Sequence, residues 1–167
     1  MIPRDFFLRP HELPAHPGSK PIDLSVPVVN GKEIGDFESK HGIKLPTELK
    51  DMYFVQNGGF VRDKYCHGKA FSIESIPSIP CIGFRESPYG FIAPMSSHLE
   101  EWMELPSGLP AIYARLIDFY ELGSLHLALD YRGSSTMCGI VQVDLDDPGR
   151  NPVSVCNSLL DIFNPSR

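Results

Sequence analysis

Six short stretches of this chain carry residues whose types and spacing could do chemistry, and each can be weighed against what that chemistry requires. His11-Glu12-Leu13-Pro14-Ala15-His16 comes nearest to a zinc-protease helix, in which two histidines four apart hold the metal and the glutamate acts as base. The second ligand would have to be Ala15, and Pro14 breaks the helix that would align the pair. Asp144-Leu145-Asp146-Asp147-Pro148-Gly149 opens like a calcium loop, but its fifth position is Pro148 and its twelfth, which must supply a bidentate carboxylate, is Val155. Cys66-His67, even joined by Cys81 or His98, matches no zinc-ligand spacing; a packed thiol beside a surface imidazole accounts for it. Cys138 and Cys156 would each need a base across the fold to act as nucleophiles, and both read more simply as core thiols. Glu100, Glu101 and Glu104 have helical spacing and read as a solvated helix face rather than paired catalytic acids. There is no nucleophile elbow, phosphate-binding loop or dinucleotide fingerprint. The expectation is therefore a protein with no catalytic residues, no metal and no cofactor.

What survives is charge. The chain has 15 basic and 21 acidic residues, a formal net charge of −6, which argues against a general binder of nucleic acid or of an anionic membrane and favours a basic partner. The acidity is regional: from Asp118 to Asp147 six acids (Asp118, Glu121, Asp130, Asp144, Asp146, Asp147) face one base, Arg132, so −6 plus 1 gives −5 of the −6. Two readings stand side by side: solvated strand ends and turns, or an electrostatic surface for a basic partner bordered by Glu121, Asp130, Asp144, Asp146 and Asp147. No apolar run approaches the roughly 20 residues of a membrane span, and Met1-Ile2-Pro3-Arg4-Asp5 is interrupted by charge and proline. A soluble, cytoplasmic protein is expected. The four cysteines show no C-x-x-C pair, consistent with reduced, mostly packed thiols.

These residues must be positioned by ordinary elements. Residues 1–29 contain Pro3, Pro10, Pro14, Pro17, Pro21 and Pro27 and read as a proline-rich arm, parts of which can lie along the domain through Phe6, Phe7, Leu8 and the valines, or as a linker. The domain proper spans residues 30–167. Asn30 with Glu33 forms a capping-box pattern for a first helix carrying Ile34, Phe37 and His41 and stopped by Gly42. Leu45-Pro46 starts a second helix, with Pro46 at its first position and Leu49, Met52, Tyr53 and Gln56 along one face; Asn57-Gly58-Gly59 ends it through residues that tolerate positive φ. Strands are predicted at Ala70–Ile73, Cys81–Phe84 and Gly90–Ala93, and Ser97 caps a helix that buries Trp102. Leu125, Leu127 and Leu129 alternate with His126, Ala128 and Asp130, and Val141, Val143 and Leu145 with Gln142 and Asp144, predicting two half-buried strands joined as a hairpin. Pro152–Val155 adds a strand, and Asn157 or Ser158 opens a short helix burying Leu159, Leu160, Ile162 and Phe163. The order fits a single α+β domain with helices packed on a largely antiparallel sheet.

Ile34-x-x-Phe37-Glu38-x-x-His41-Gly42-Ile43-Lys44-Leu45-Pro46-Thr47-Glu48-Leu49, followed by Tyr53 and Asn57-Gly58-Gly59, resembles the signature of the SMI1/KNR4 (SUKH) superfamily. Leu127-Ala128-Leu129-Asp130-Tyr131 is similar to its strand ending in Leu-Asp-aromatic, and Val155–Phe163 to its closing strand-to-helix phrase. The resemblance runs from about Asn30 to Phe163. It implies an α+β domain that binds other proteins, without catalysis, in which Leu45, Pro46, Asn57 and Gly58 are fold determinants. In bacteria such domains are mostly immunity proteins against polymorphic toxins, often nucleases; in fungi they include regulators of cell-wall synthesis. The function this implies is a cytoplasmic immunity protein that blocks a toxin, in one version a basic nuclease, by direct binding; a regulatory interaction module without a toxin partner is the alternative.

Overall fold

The computed structural model describes residues 1–9, 12, 26–66, 78–83, 92–96, 113, 115–122, 124–147 and 150–163. The first helix, α1 (Gly31–His41), forms where its caps dictate. Asn30 Oδ1 accepts from the N–H groups of Lys32 and Glu33 at 2.8 and 3.2 Å, and Glu33 Oε2 accepts from Asn30 N–H at 2.8 Å. Gly42 closes it at φ 62, where its N–H donates to the Glu38 carbonyl.

Helix α2 (Thr47–Val55) buries Leu49, Met52 and Tyr53. Pro46, at φ −56 and ψ 142, is the cap and not the first helical residue, since Pro46 itself keeps extended ψ. The predicted stop also shifts. Gln56 ends the helix by going extended at φ −159, while positive φ falls beyond it at Gly58 (81) and Gly59 (140). Those glycines shape the entry to β1 (Gly59–Phe60), which pairs antiparallel with β2 (Ser78–Ile79). A Cβ on Gly58 would lie 2.7 Å from the Ile79 carbonyl oxygen and 2.9 Å from Cys81 N, so the close approach of two backbones requires glycine there. Asn57, buried, completes the junction: its Nδ2 donates to Ile82 O at 3.1 Å and its Oδ1 accepts from Ile82 N–H at 2.8 Å. A side chain thus makes the paired bonds that a strand backbone would make. The Cys81 thiol donates to the Asn57 carbonyl at 2.7 Å.

The main sheet is five-stranded and antiparallel, in the order β3 (Ala93–Pro94), β4 (Leu116–Leu122), β5 (Leu125–Asp130), β6 (Gly139–Asp144), β7 (Val153–Cys156). The β5–β6 hairpin read from the alternation is present, with Leu125 opposite Asp144 and Asp130 opposite Gly139. One face of the sheet carries Ile117, Phe119, Leu127, Leu129 and Ile140 into the core shared with both helices. The other face is not solvated. Leu116, Ala128, Val141 and Val143 join Met95 and Tyr113 in a second apolar cluster, so β5 is buried on both sides instead of half-buried. The strand forecast at Cys81–Phe84 lies instead at Ser78–Ile79, Cys81 making only a bridge and Phe84 lying outside the described residues. The third forecast strand survives as Ala93–Pro94; Ala70–Ile73, the Ser97 cap and Trp102 lie outside the described residues. The terminal helix is one 3₁₀ turn, Leu159–Asp161, capped by Ser158; Leu159, Ile162 and Phe163 are buried but Leu160 is exposed.

Residues 1–9 dock on the domain through three side chains. Phe6 is fully buried and Phe7 and Ile2 nearly so, and Phe7 forms an antiparallel bridge with Val61 beyond β1. Proline density excludes long elements but leaves a short extended run free to dock.

Candidate partner-binding site

The sheet's geometry sorts the regional acids by position. At one end of the hairpin, β6 runs out at Asp144 and the chain turns; Asp144 Oδ1 accepts from Asp146 N–H at 3.0 Å, an Asx turn that fixes the first carboxylate and leaves Asp146 and Asp147 exposed. Leu145 N–H donates to Ser124 O at 2.8 Å, which brings the β4–β5 turn to the same end. Glu121 belongs to that end as well, its backbone lying on β4 opposite His126, which in turn lies opposite Val143. Asp144 also lines a cleft of about 170 Å³ between β6 and β7 with Gln142, Arg150, Asn151 and Val153. Arg150 is therefore part of this surface, and within residues 144–150 the three aspartates against one base leave an excess of two negative charges. Beneath it, burial raises the pKa of the Tyr113 phenol, and the charges of Asp147 and Asp144 push it further the same way.

Asp130 is at the other end of the hairpin. Arg132 holds it with both ends of its guanidinium, Nε to Oδ1 at 3.0 Å and Nη2 to Oδ2 at 2.8 Å, and Arg132 N–H adds a third bond. Burial works to raise its pKa, but the Arg132 contacts outweigh that and hold the carboxyl below its ordinary range. Asp118 is not a surface acid at all. Its Oδ2 lies 2.8 Å from His126 Nδ1, and both residues are only 4% exposed. The pair resembles two members of a catalytic triad, yet it is sealed inside the second face of the sheet. Sequence reading missed it because the alternation along β5 put His126 on a polar face.

A second charged cluster ties the helices together. Glu38, buried on α1, accepts from Lys44 Nζ at 3.0 Å, Lys50 Nζ at 2.9 Å and Leu45 N–H at 2.8 Å. Its desolvation raises the pKa, but Lys50, Lys44 and the Leu45 amide together hold it below the usual range. Arg115 does a similar job at φ 61, donating to the carbonyls of Tyr131, Gly42 and Ser134 and so joining the end of α1 to the β5–β6 hairpin.

The thiols divide by location. Cys81 is buried, Cys66 and Cys156 are half-buried, and Cys138, expected to pack, is exposed because it enters β6 from a polar turn. Burial first, and Asp161 second, raise the Cys156 thiol. Among the described residues no three of His, Cys, Asp and Glu come together as a metal site, and no helix is long and apolar enough to cross a membrane.

The arrangement that decides identity is the α1–α2 hairpin with its Leu45-Pro46 entry and the Asn57-Gly58 junction, backed by the five-stranded sheet. A family model described as SMI1 / KNR4 family (SUKH-1) matches residues 29–164. The chain belongs to the SMI1/KNR4 family. No curated protein and no solved structure matches it. Within this SMI1/KNR4 domain Leu45 and Asn57 are buried and Gly58 is sterically required, so these signature residues serve the fold.

Proposed function

We propose that the protein is a cytoplasmic immunity protein that neutralises a toxin by direct binding, without catalysis, and that Asp144, Asp146 and Asp147, with Glu121 near them, border the contact surface. Family membership supports the class of function. The observation that carries the surface is the exposed β6–β7 turn, where three carboxylates within four positions are held at one end of the sheet. A nuclease must carry a basic cleft to bind phosphate, and a matched acidic surface on its inhibitor raises the on-rate and disfavours wrong partners.

The test begins by screening the products of the genes beside this protein's own for a toxin that the parent protein binds and protects against. Changing Asp144, Asp146 and Asp147 together to lysine should slow association about tenfold at low salt, flatten its salt dependence and weaken protection of toxin-expressing cells. The melting temperature should barely move, since none of the three is in the core. A folded triple variant that binds and protects like the parent would remove this surface from the interface. Absence of any toxin that the parent protein protects against would remove the immunity role itself and leave a regulatory interaction module.

A further inference from the structure

Residues 1–9 lie outside the stretch matched by the family, residues 29–164, yet they are seated in that domain as a ligand sits in a groove. The floor of the groove is β1 and the residues after it, with Phe163 as one wall. Its main chain reads the occupant by strand addition: Leu8 N–H donates to Phe60 O at 2.8 Å and Arg62 N–H to Phe6 O at 3.0 Å, on either side of the Phe7–Val61 bridge. Phe6 is the anchor. Its ring stacks on Tyr65 at 5.3 Å and meets the edge of Phe163 at 6.2 Å, and nothing of it reaches solvent. Charge fixes the direction of the segment. Asp5 accepts from Lys64 Nζ and Tyr65 OH, each at 2.7 Å, its carbonyl accepts from Arg62 Nε at 2.7 Å, and Arg62 Nη2 reaches both carboxylate oxygens of Glu12 at 2.8 and 2.6 Å.

These bonds join positions 50 or more apart in sequence, so none of them depends on the covalent link between occupant and groove. The recognition is specific all the same: an acid in a turn closed by the Phe6 N–H to Pro3 O bond, two aromatics and an aliphatic residue about a single bridge, followed by a second acid, read by Lys64, Arg62, an aromatic pocket and a strand edge.

We propose that the groove formed by Phe60 to Tyr65 and Phe163 is a peptide-binding site of the strand-addition type, occupied in cis by residues 2–9 and Glu12 and able to take the same segment from a second copy of the chain. The second copy is the occupant whose chemistry is already known to fit, because every copy carries Asp5-Phe6-Phe7-Leu8. The site is separate from the β6–β7 turn and does not rest on the immunity reading.

The experiment places a protease site between Gly18 and Ser19 of the full chain and cleaves the folded protein. The fragment should stay with the domain through gel filtration and exchange for a fluorescent peptide of residues 1–12. A peptide carrying Phe6→Ala should bind at least about tenfold more weakly, the effect of removing a buried aromatic anchor. Arg62→Ala in the domain should weaken binding of the parent peptide, and the uncleaved chain should take up little label. Refolding the uncleaved chain at high concentration should give a dimer that Phe6→Ala does not form. Loss of the domain's circular dichroism on displacement of the fragment would overturn the proposal, showing the segment to be ordinary core. So would a fragment that never exchanges, or peptide binding indifferent to Phe6. If the domain binds peptide but the parent never forms a dimer, the second-copy assignment fails.

Discussion

Glu38 shows how far one buried charge reaches. A carboxylate at 6% exposure is costly to desolvate, and here two ammonium groups and an amide offset that cost together. Glu38→Gln keeps the shape but turns one acceptor into a donor pointed at a lysine, so it should destabilise by about 1–3 kcal/mol at neutral pH. The sign with pH follows from the folded pKa lying below the ordinary 4.5. The contribution is fully present above the unfolded value and is lost as pH falls through the folded one. Urea titrations of parent and variant should therefore converge as pH is lowered below about 4.5, and a difference that persists unchanged at pH 2 would place the stabilisation elsewhere. Asp5, held down to about 2 by Lys64 and Tyr65, follows the same rule.

At the scale of elements, what was legible in the sequence is what is written within a few residues. The Asn30–Glu33 box, the Gly42 cap and the β5–β6 alternation each announce themselves locally, and each forms. Three features could not be read, because their partners are distant. Asn57 reads as part of a helix stop, and only the arrival of Ile82, 25 positions on, makes it a clamp. Phe6 reads as part of an arm until Tyr65 and Phe163 meet it. His126 reads as solvent-facing until a second apolar layer covers β5. Two of the positive-φ glycines test the distinction between local and distant demand. Gly133, at φ 80 with open space around it, needs glycine for conformation alone, and alanine there should cost about 1–2 kcal/mol. Gly58, at φ 81, adds a backbone oxygen within 2.7 Å of any Cβ, so Gly58→Ala should cost more. Equal urea midpoints for the two variants would mean that the β1–β2 junction yields freely.

Over the whole molecule the question is whether a basic partner senses the net charge of −6 or one end of the sheet. The hairpin separates the two candidates cleanly. From Gly139, beside Asp130, to Asp144 the strand advances five residues, about 17 Å at some 3.4 Å per residue. The screening length at physiological salt is about 8 Å, so exposed charges at the two ends act nearly independently. Asp130 is also neutralised where it stands by the bidentate Arg132, whereas Asp146 and Asp147 are exposed. Asp130→Asn should therefore leave the association rate with the partner unchanged at physiological salt and lower stability by about 0.5–1 kcal/mol, the value of a partly exposed ion pair. Lysine at 144, 146 and 147 should do the reverse, slowing association with little loss of stability. Stopped-flow association rates and urea midpoints for both proteins give the two-by-two comparison. Should Asp130→Asn slow association as much as the triple change, steering would belong to the charge of the whole chain and the β6–β7 turn would lose its special place.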